Sequence, residues 1–321
     1  MLSLSAALVA CSSGTGAAAT TASTRSDSLA APLFSGDSAF AMVKAQTDFG
    51  PRVPGSSASQ NCARWLAQRL GELGAEDVKT QHGSVKAYNG VTIPVINISA
   101  RYNPAAKKRI LLLSHWDSRP WADHDPVESN RRKPIDGAND GASGVGVILE
   151  LARLFAIQQP SVGVDILFVD AEDYGPHASE ADDADDAWAL GTQYWLGNPT
   201  LPLSDIRYAV LLDMVGGRDA QFHREYFSES YARDVNDKIW RAASRAGYSS
   251  RFVNSVGGAI TDDHIYLNRA GVPAVDIIES ANPSTGSFNP TWHTLNDNID
   301  NIDPATLSAV GLTLVNLIYT E

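Results

Sequence analysis

Cysteine is nearly absent from this chain. Only Cys11 and Cys62 occur in 321 residues, so no disulfide framework holds the fold, and a lipid on Cys11 would exclude even one internal bridge. Basic side chains are also in deficit, with 25 Lys and Arg against 37 Asp and Glu and a net charge of −12. Nucleic acid is therefore not an expected partner, because binding phosphates needs a basic face. No apolar run reaches the roughly 20 residues that cross a bilayer. No repeat of about 20 to 50 residues recurs, which argues against a solenoid or propeller. What remains is a long chain with 44% hydrophobic residues, enough to bury a large core and suited to one sizeable α/β domain. The acid surplus serves solubility on the simpler reading and attraction of cationic N-termini on the other.

At the N-terminus an apolar stretch from Leu2 to Ala10 ends in Leu8-Val9-Ala10-Cys11. It resembles a bacterial lipobox, with Cys11 as the lipidated first residue of the mature chain. No Lys or Arg precedes it, so a truncated start or a chance segment are the competing readings. The expected division is residues 1–11 as signal peptide, 12–36 as a disordered tether rich in Ser, Thr, Ala and Gly, and 37–321 as the catalytic domain. The expectation is an exported bacterial lipoprotein on the periplasmic side of a membrane, touching that membrane only through the anchor at Cys11.

Beyond residue 36, apolar runs alternate with amphipathic segments, as in a single-domain sheet flanked by helices. Strands are expected over Val91–Ile98, Arg109–Ser114, Val164–Val169, Tyr208–Asp213 and Val272–Ile278. Helices are expected over Ser38–Thr47 (capped by Asp37), Ser57–Leu73, Ser143–Ile157, Trp188–Leu196, Tyr231–Ala246, His264–Ala270 and Pro304–Tyr319. Runs such as ILLL and VGVDILFV read as strands buried on both faces, which points to a mixed, mostly parallel sheet. Cys62 shares a helical stripe with Trp65, Leu66 and Leu70 and reads as a small buried apolar residue.

Five separated segments carry acids and imidazoles at or beyond these strand ends: LLLSHWDS with His115 and Asp117, GANDGASG with Asp140, ILFVDAED with Glu172 and Asp173, VLLDMVGG with Asp213, and TWHTLNDN with His293. Zinc takes imidazole and carboxylate ligands and keeps one position open when catalytic. Open α/β sheets gather their sites at the carboxyl ends of strands, so one crevice can collect this set. Each signal alone has a plainer reading: Asp140 as a helix cap, Glu172-Asp173 as surface acids, Trp188 and Trp292 as core. Asp262 and Asp263 precede a helix, where its dipole favours carboxylates. His264 reads as a packing or orienting residue, and His82, His124, His177 and His223 as solvated. The run Glu180 to Asp186 holds five acids in seven residues and reads as a solvated loop, with a calcium site as the second reading.

Taken in order, the five motifs resemble the zinc aminopeptidase family that also contains the glutaminyl cyclases. The resemblance runs from FGPRVPGS (Phe49–Ser56) to the C-terminal helix. HWDSRPWADHDP, DAEDYG, ALGTQYW, DDHIYLNRAGVPAVDII and WHTLNDNIDNID are most similar to the bacterial type of cyclase (glutaminyl-peptide cyclotransferase). The resemblance implies a zinc aminopeptidase-like α/β hydrolase sandwich acting on peptide or protein N-termini. It implies zinc held by Asp140, Asp173 and His293, with Glu172 as general acid and base. Asp213 and Asp263 would bind the amine or leaving nitrogen, and Trp188, Trp292 and Asp262 would line the substrate pocket. His115 and Asp117 would either orient this set or contribute to a second metal position, which in the family's aminopeptidases His115 and Asp213 would complete beside a bridging Asp140. One zinc per chain is expected of a cyclase and two of an aminopeptidase, the alternative function. A non-catalytic lipoprotein using the fold only for binding is the third reading, disfavoured by the intact ligand positions.

Overall fold

A computed structural model describes residues 1–3, 31–180 and 186–321. Cys11 of the expected lipobox, most of the expected tether and residues 181–185 of the acidic run lie outside the described residues. Its elements run α1 (Gly36–Thr47), α2 (Ser57–Glu72), β1 (Glu76–Lys86), β2 (Thr92–Tyr102), β3 (Arg109–His115), α3 (Ala142–Ile157), β4 (Gly163–Val169) and α4 (Leu190–Gly197). They continue with β5 (Ile206–Leu212), β6 (Phe222–Arg224), α5 (Tyr226–Arg245), β7 (Phe252–Val256), α6 (Asp263–Arg269), β8 (Ala274–Ile277) and α7 (Pro304–Ile318).

Six strands form one sheet in the order β1-β2-β4-β3-β5-β8. The β1–β2 and β2–β4 pairs are antiparallel, and β4, β3, β5 and β8 are parallel. This is the mixed, mostly parallel sheet expected of the apolar runs. Every residue of β3 and β4 is buried, because successive side chains point to opposite faces and helices cover both. Ile110 and Leu112 join a core beneath α1, α3 and α7, whereas Leu111 and Leu113 join a second with Trp195 of α4 and Leu267 of α6. No helix among the described residues is long and apolar enough to cross a membrane.

The departures have local causes. β1 was not expected, because its residues are mostly exposed and it sits at the sheet edge beside β2, where little apolar patterning is required. The pair β6–β7 is too short to show a period. Helix α1 is capped by Ser35, whose Oγ accepts from Ser38 N at 3.1 Å, and Asp37 lies inside the first turn. Packing starts at Phe34, which is buried against Gly311 of α7. Helix α5 carries an extra opening segment, because the Glu225 carboxylate accepts from Phe227 N and Ser228 N at 2.9 and 2.6 Å, and the helix expected from Tyr231 follows a break at Ala232, where φ is −137°. Helix α4 starts at Leu190 rather than Trp188, because Ala189 takes a left-handed φ of 54°.

Candidate active site

The parallel strands deliver the site at their carboxyl ends. His115 is the last residue of β3, Asp213 follows β5, and Glu172 and Asp173 sit in the turn after β4. Asp140 precedes α3 in a turn where Gly141 has φ 82°, and a Cβ there would stand 2.7 Å from the His115 ring. Only glycine lets this turn close onto the histidine. Around the crevice Ala171, Met214 and His293 all take positive φ near 50°, conformations that non-glycine residues hold only under tertiary constraint.

Two imidazoles share Asp140. His293 Nε2 lies 3.3 Å from Asp173 Oδ1 and 3.6 Å from Asp140 Oδ2. His115 Nε2 lies 3.1 Å from both Asp140 Oδ1 and Asp213 Oδ1. Each triad, Asp140–Asp173–His293 and His115–Asp140–Asp213, places its donor atoms within 4.8 Å of one another, and all of its members are buried. Buried Asp173 Oδ2 has no hydrogen-bond partner among the described residues. Tetrahedral zinc with bonds of about 2.0–2.1 Å keeps its ligands roughly 3.3 Å apart. The His293 triad fits that ion in donor type and spacing.

Supporting groups hold these side chains. Asp117 accepts from Glu172 N at 3.1 Å and Asp173 N at 3.3 Å, and its Oδ1 is 3.2 Å from His115 Nδ1. It therefore organises the acid pair and orients His115. Asp297 accepts from Asn139 N at 2.7 Å and Asp140 N at 3.1 Å, which sets the Asp140 turn. Buried Arg119 grips Asp123 through two hydrogen bonds of 2.9 and 2.6 Å and donates to Asp173 Oδ1 at 3.0 Å. Asp123 Oδ1 in turn stands 3.3 Å from His293 Nδ1, which has no hydrogen-bond partner among the described residues, so the carboxylate steadies the ring by charge and proximity. Sequence reasoning assigned no role to Arg119, Asp123 or Asp297. The first two lie inside HWDSRPWADHDP and the third in HTLNDN, so proximity to the motifs was the available signal.

A cavity of about 260 Å³ opens over the crevice, lined by Glu172, Asp213, Asp262, Trp188, Phe288 and Trp292, among others. Trp292 stacks on His293 with ring centroids 3.7 Å apart, and Arg119 sits 5.1 Å from the Trp188 ring. The expected acid pair divides: Asp262 lines the cavity, whereas Asp263 is wholly buried behind it and does not. Asp263 is the first residue of α6 and Asp262 its cap, so the two side chains leave the backbone in different directions. His177 is buried rather than solvated, 2.8 Å from Ser179 Oγ. Cys62 is buried as expected, and burial pushes its thiol up to about 12.

Electrostatically the crevice is short of positive charge. Burial and then Asp262 raise Glu172 well above the usual carboxylate range. Burial, Asp173 and Asp213 raise Asp140, and burial with Asp140 pushes Asp297 up to about 8. Burial disfavours a charged His115, but Asp117, Asp140 and Asp213 outweigh it and lift its pKa well above the ordinary value. Asp173 is held low against burial by His293 and Arg119. A divalent cation here would relieve the crowding of carboxylates.

Known proteins share this sequence pattern and fold. The family model for Peptidase family M28 matches residues 97–318. A Bacteroides thetaiotaomicron glutaminyl cyclase, solved with N-acetylhistamine bound, is 49% identical with a TM-score of 0.88, covering 91% of this chain and 99% of its own. A protein from the same organism described as a leucine aminopeptidase precursor is 48% identical with a TM-score of 0.87 over the same shares. The Bos taurus glutaminyl-peptide cyclotransferase is 27% identical over 306 residues, 84% of this chain and 79% of the relative. With most of its length matched by the family model and by these structures, this chain belongs to peptidase family M28.

Proposed function

We infer that this protein is a zinc-dependent glutaminyl cyclase, converting the N-terminal glutamine of peptides to pyroglutamate with release of ammonia. The observation that carries this reading is a cavity in which buried Glu172 and a zinc-type donor set face aromatic walls. Asp140, Asp173 and His293 would hold the metal, one per chain, which supplies Lewis-acid polarisation of the carbonyl oxygen. Glu172, kept protonatable by burial and Asp262, takes one proton from the α-amine as its nitrogen attacks the γ-carboxamide carbon. The carbon–nitrogen bond of the side-chain amide then breaks, and Glu172 returns the proton so that the nitrogen leaves as ammonia. Asp213 and Asp262 receive the hydrogens of the amine. The amine-binding role expected of Asp263 thus passes to Asp262, the member of the pair that reaches the cavity. Nucleophile and electrophile belong to one residue, so the walls Trp188, Phe288 and Trp292 serve to hold the near-attack conformer and exclude water.

A second reading, a zinc aminopeptidase with two metals, draws on the His115–Asp140–Asp213 triad. The two enzymes separate by product. Incubated with a Gln-initiated and a Leu-initiated peptide, a cyclase lowers the mass of the first by one ammonia and leaves the second intact. Free leucine together with an unchanged Gln peptide would replace the cyclase by the aminopeptidase. We also propose, on the Leu8–Cys11 pattern alone, lipid attachment at Cys11 and display on the periplasmic side of a membrane. Fatty-acid labelling that persists in Cys11→Ser would contradict it.

A further inference from the structure

Behind the wall that carries Asp262 lies a second buried group, Asp276 of β8, His264 of α6 and Glu225 at the start of α5. All three are fully buried. Glu225 is saturated with donors: Phe227 N, Ser228 N, Ser228 Oγ, Ile260 N and His264 Nε2, the last at 3.0 Å. His264 thus spends Nε2–H on Glu225 and turns Nδ1 toward Asp276 Oδ2, 3.9 Å away and beyond direct hydrogen-bond reach. Neither carboxylate oxygen of Asp276, nor His264 Nδ1, has a hydrogen-bond partner among the described residues. One donor atom from each of Asp262, His264 and Asp276 lies within 4.8 Å of the others.

Such a cell has acceptors and no donor, and leaving buried acceptors unpaired is costly. Separations of this size are what one water spans with two hydrogen bonds of about 2.8 Å. The cell gains the donors it lacks if Asp276 is a carboxylic acid, with only its carbonyl oxygen then left unpaired. Its O–H donates to the water, and the water's two hydrogens go to Asp262 and His264 Nδ1. We propose that Asp276 is a positioning residue for the cyclisation, holding Asp262 through one bridging water so that this carboxylate faces the substrate's amine. Burial, followed by Asp262 and Asp213, raises Asp276 well above the usual carboxylate range, in keeping with that protonation. The turnover consequence rests on the cyclase reading; the protonation does not.

The test compares Asp276→Asn with Asp276→Leu in the full chain. Asparagine keeps a donor where the carboxylic acid had one, and leucine has the size without the donor. With Gln-initiated peptide as substrate, Asp276→Leu should lose about 30-fold in kcat with KM changed less than about threefold, a scale set by one lost buried hydrogen bond. Asp276→Asn should restore most of that loss, and zinc content should match wild type in both. In infrared spectra, wild type should show one band of a buried protonated carboxylic acid that Asp276→Asn lacks. Equal losses in the two variants, full activity in the leucine variant, an unchanged band, or a metal equivalent lost with Asp276→Asn would each overturn the proposal. Should the leucine variant fail to fold, the band and the asparagine variant still decide. Should wild type not cyclise the Gln peptide, the cyclase reading fails while the infrared comparison still judges Asp276.

Discussion

His115 and His293 stand on either side of Asp140, each facing two carboxylates with Nε2 and a third with Nδ1, yet the two cells differ. Around His115 the contacts are 3.1, 3.1 and 3.2 Å, the spacing of an imidazolium hydrogen-bonded to its neighbours. Around His293 the Nε2 contacts widen to 3.3 and 3.6 Å, and one Asp173 oxygen has no hydrogen-bond partner among the described residues. The His293 cell also borders the cavity and lies against Trp292. Two nearly identical ligand lists therefore describe cells of different spacing, and on the one-zinc reading proposed above the wider cell takes the metal while a proton closes the tighter one.

The comparison can be broken from either side. His293→Ala should abolish zinc binding and lower turnover by about 1,000-fold or more, the several kcal/mol that Lewis-acid assistance supplies. Elemental analysis and ammonia release check it, and retained zinc would remove His293 from the ligand set. Glu172→Gln keeps shape but not the proton carrier, so turnover should fall about 100-fold with zinc content unchanged. Near-normal turnover would end its assigned role. Asp123→Asn should weaken zinc binding about 10- to 100-fold, because it loosens the ligating ring without touching the metal; unaltered affinity in a chelator competition would make the Arg119–Asp123 link purely structural. The smallest effect on metal belongs to His115→Gln. Zinc should stay, while the three abandoned carboxylates cost about 3 to 5 kcal/mol of stability in denaturant unfolding. Zinc loss from that variant would make His115 a ligand after all.

Much of this was legible in the chain because the chemistry sits where secondary structure is most strongly patterned. The runs ending in His115, Val169 and Leu212 are continuous apolar strands, and their carboxyl ends are where an α/β sheet exposes ligands. What escaped was of two kinds. Edge strand β1 lacks apolar alternation because solvent bathes most of it. Arg119, Asp123 and Asp297 act through contacts with residues far along the chain, as in Arg119 with Asp173, Asp123 with His293 and Asp297 with Asn139, and no local spacing announces them. The split of Asp262 from Asp263 shows the same limit. Two adjacent identical residues differ in role only through the φ and ψ at the start of α6.

The claim that one imidazole cell takes a metal and the other a proton is tested most directly by titration. Metal-free protein receives zinc stepwise while ammonia release from a Gln-initiated peptide is followed. The account predicts that activity rises linearly and stops at one zinc per chain, with His115→Gln breaking at the same point. Activity that keeps rising to two equivalents in wild type, and to one in His115→Gln, would contradict it.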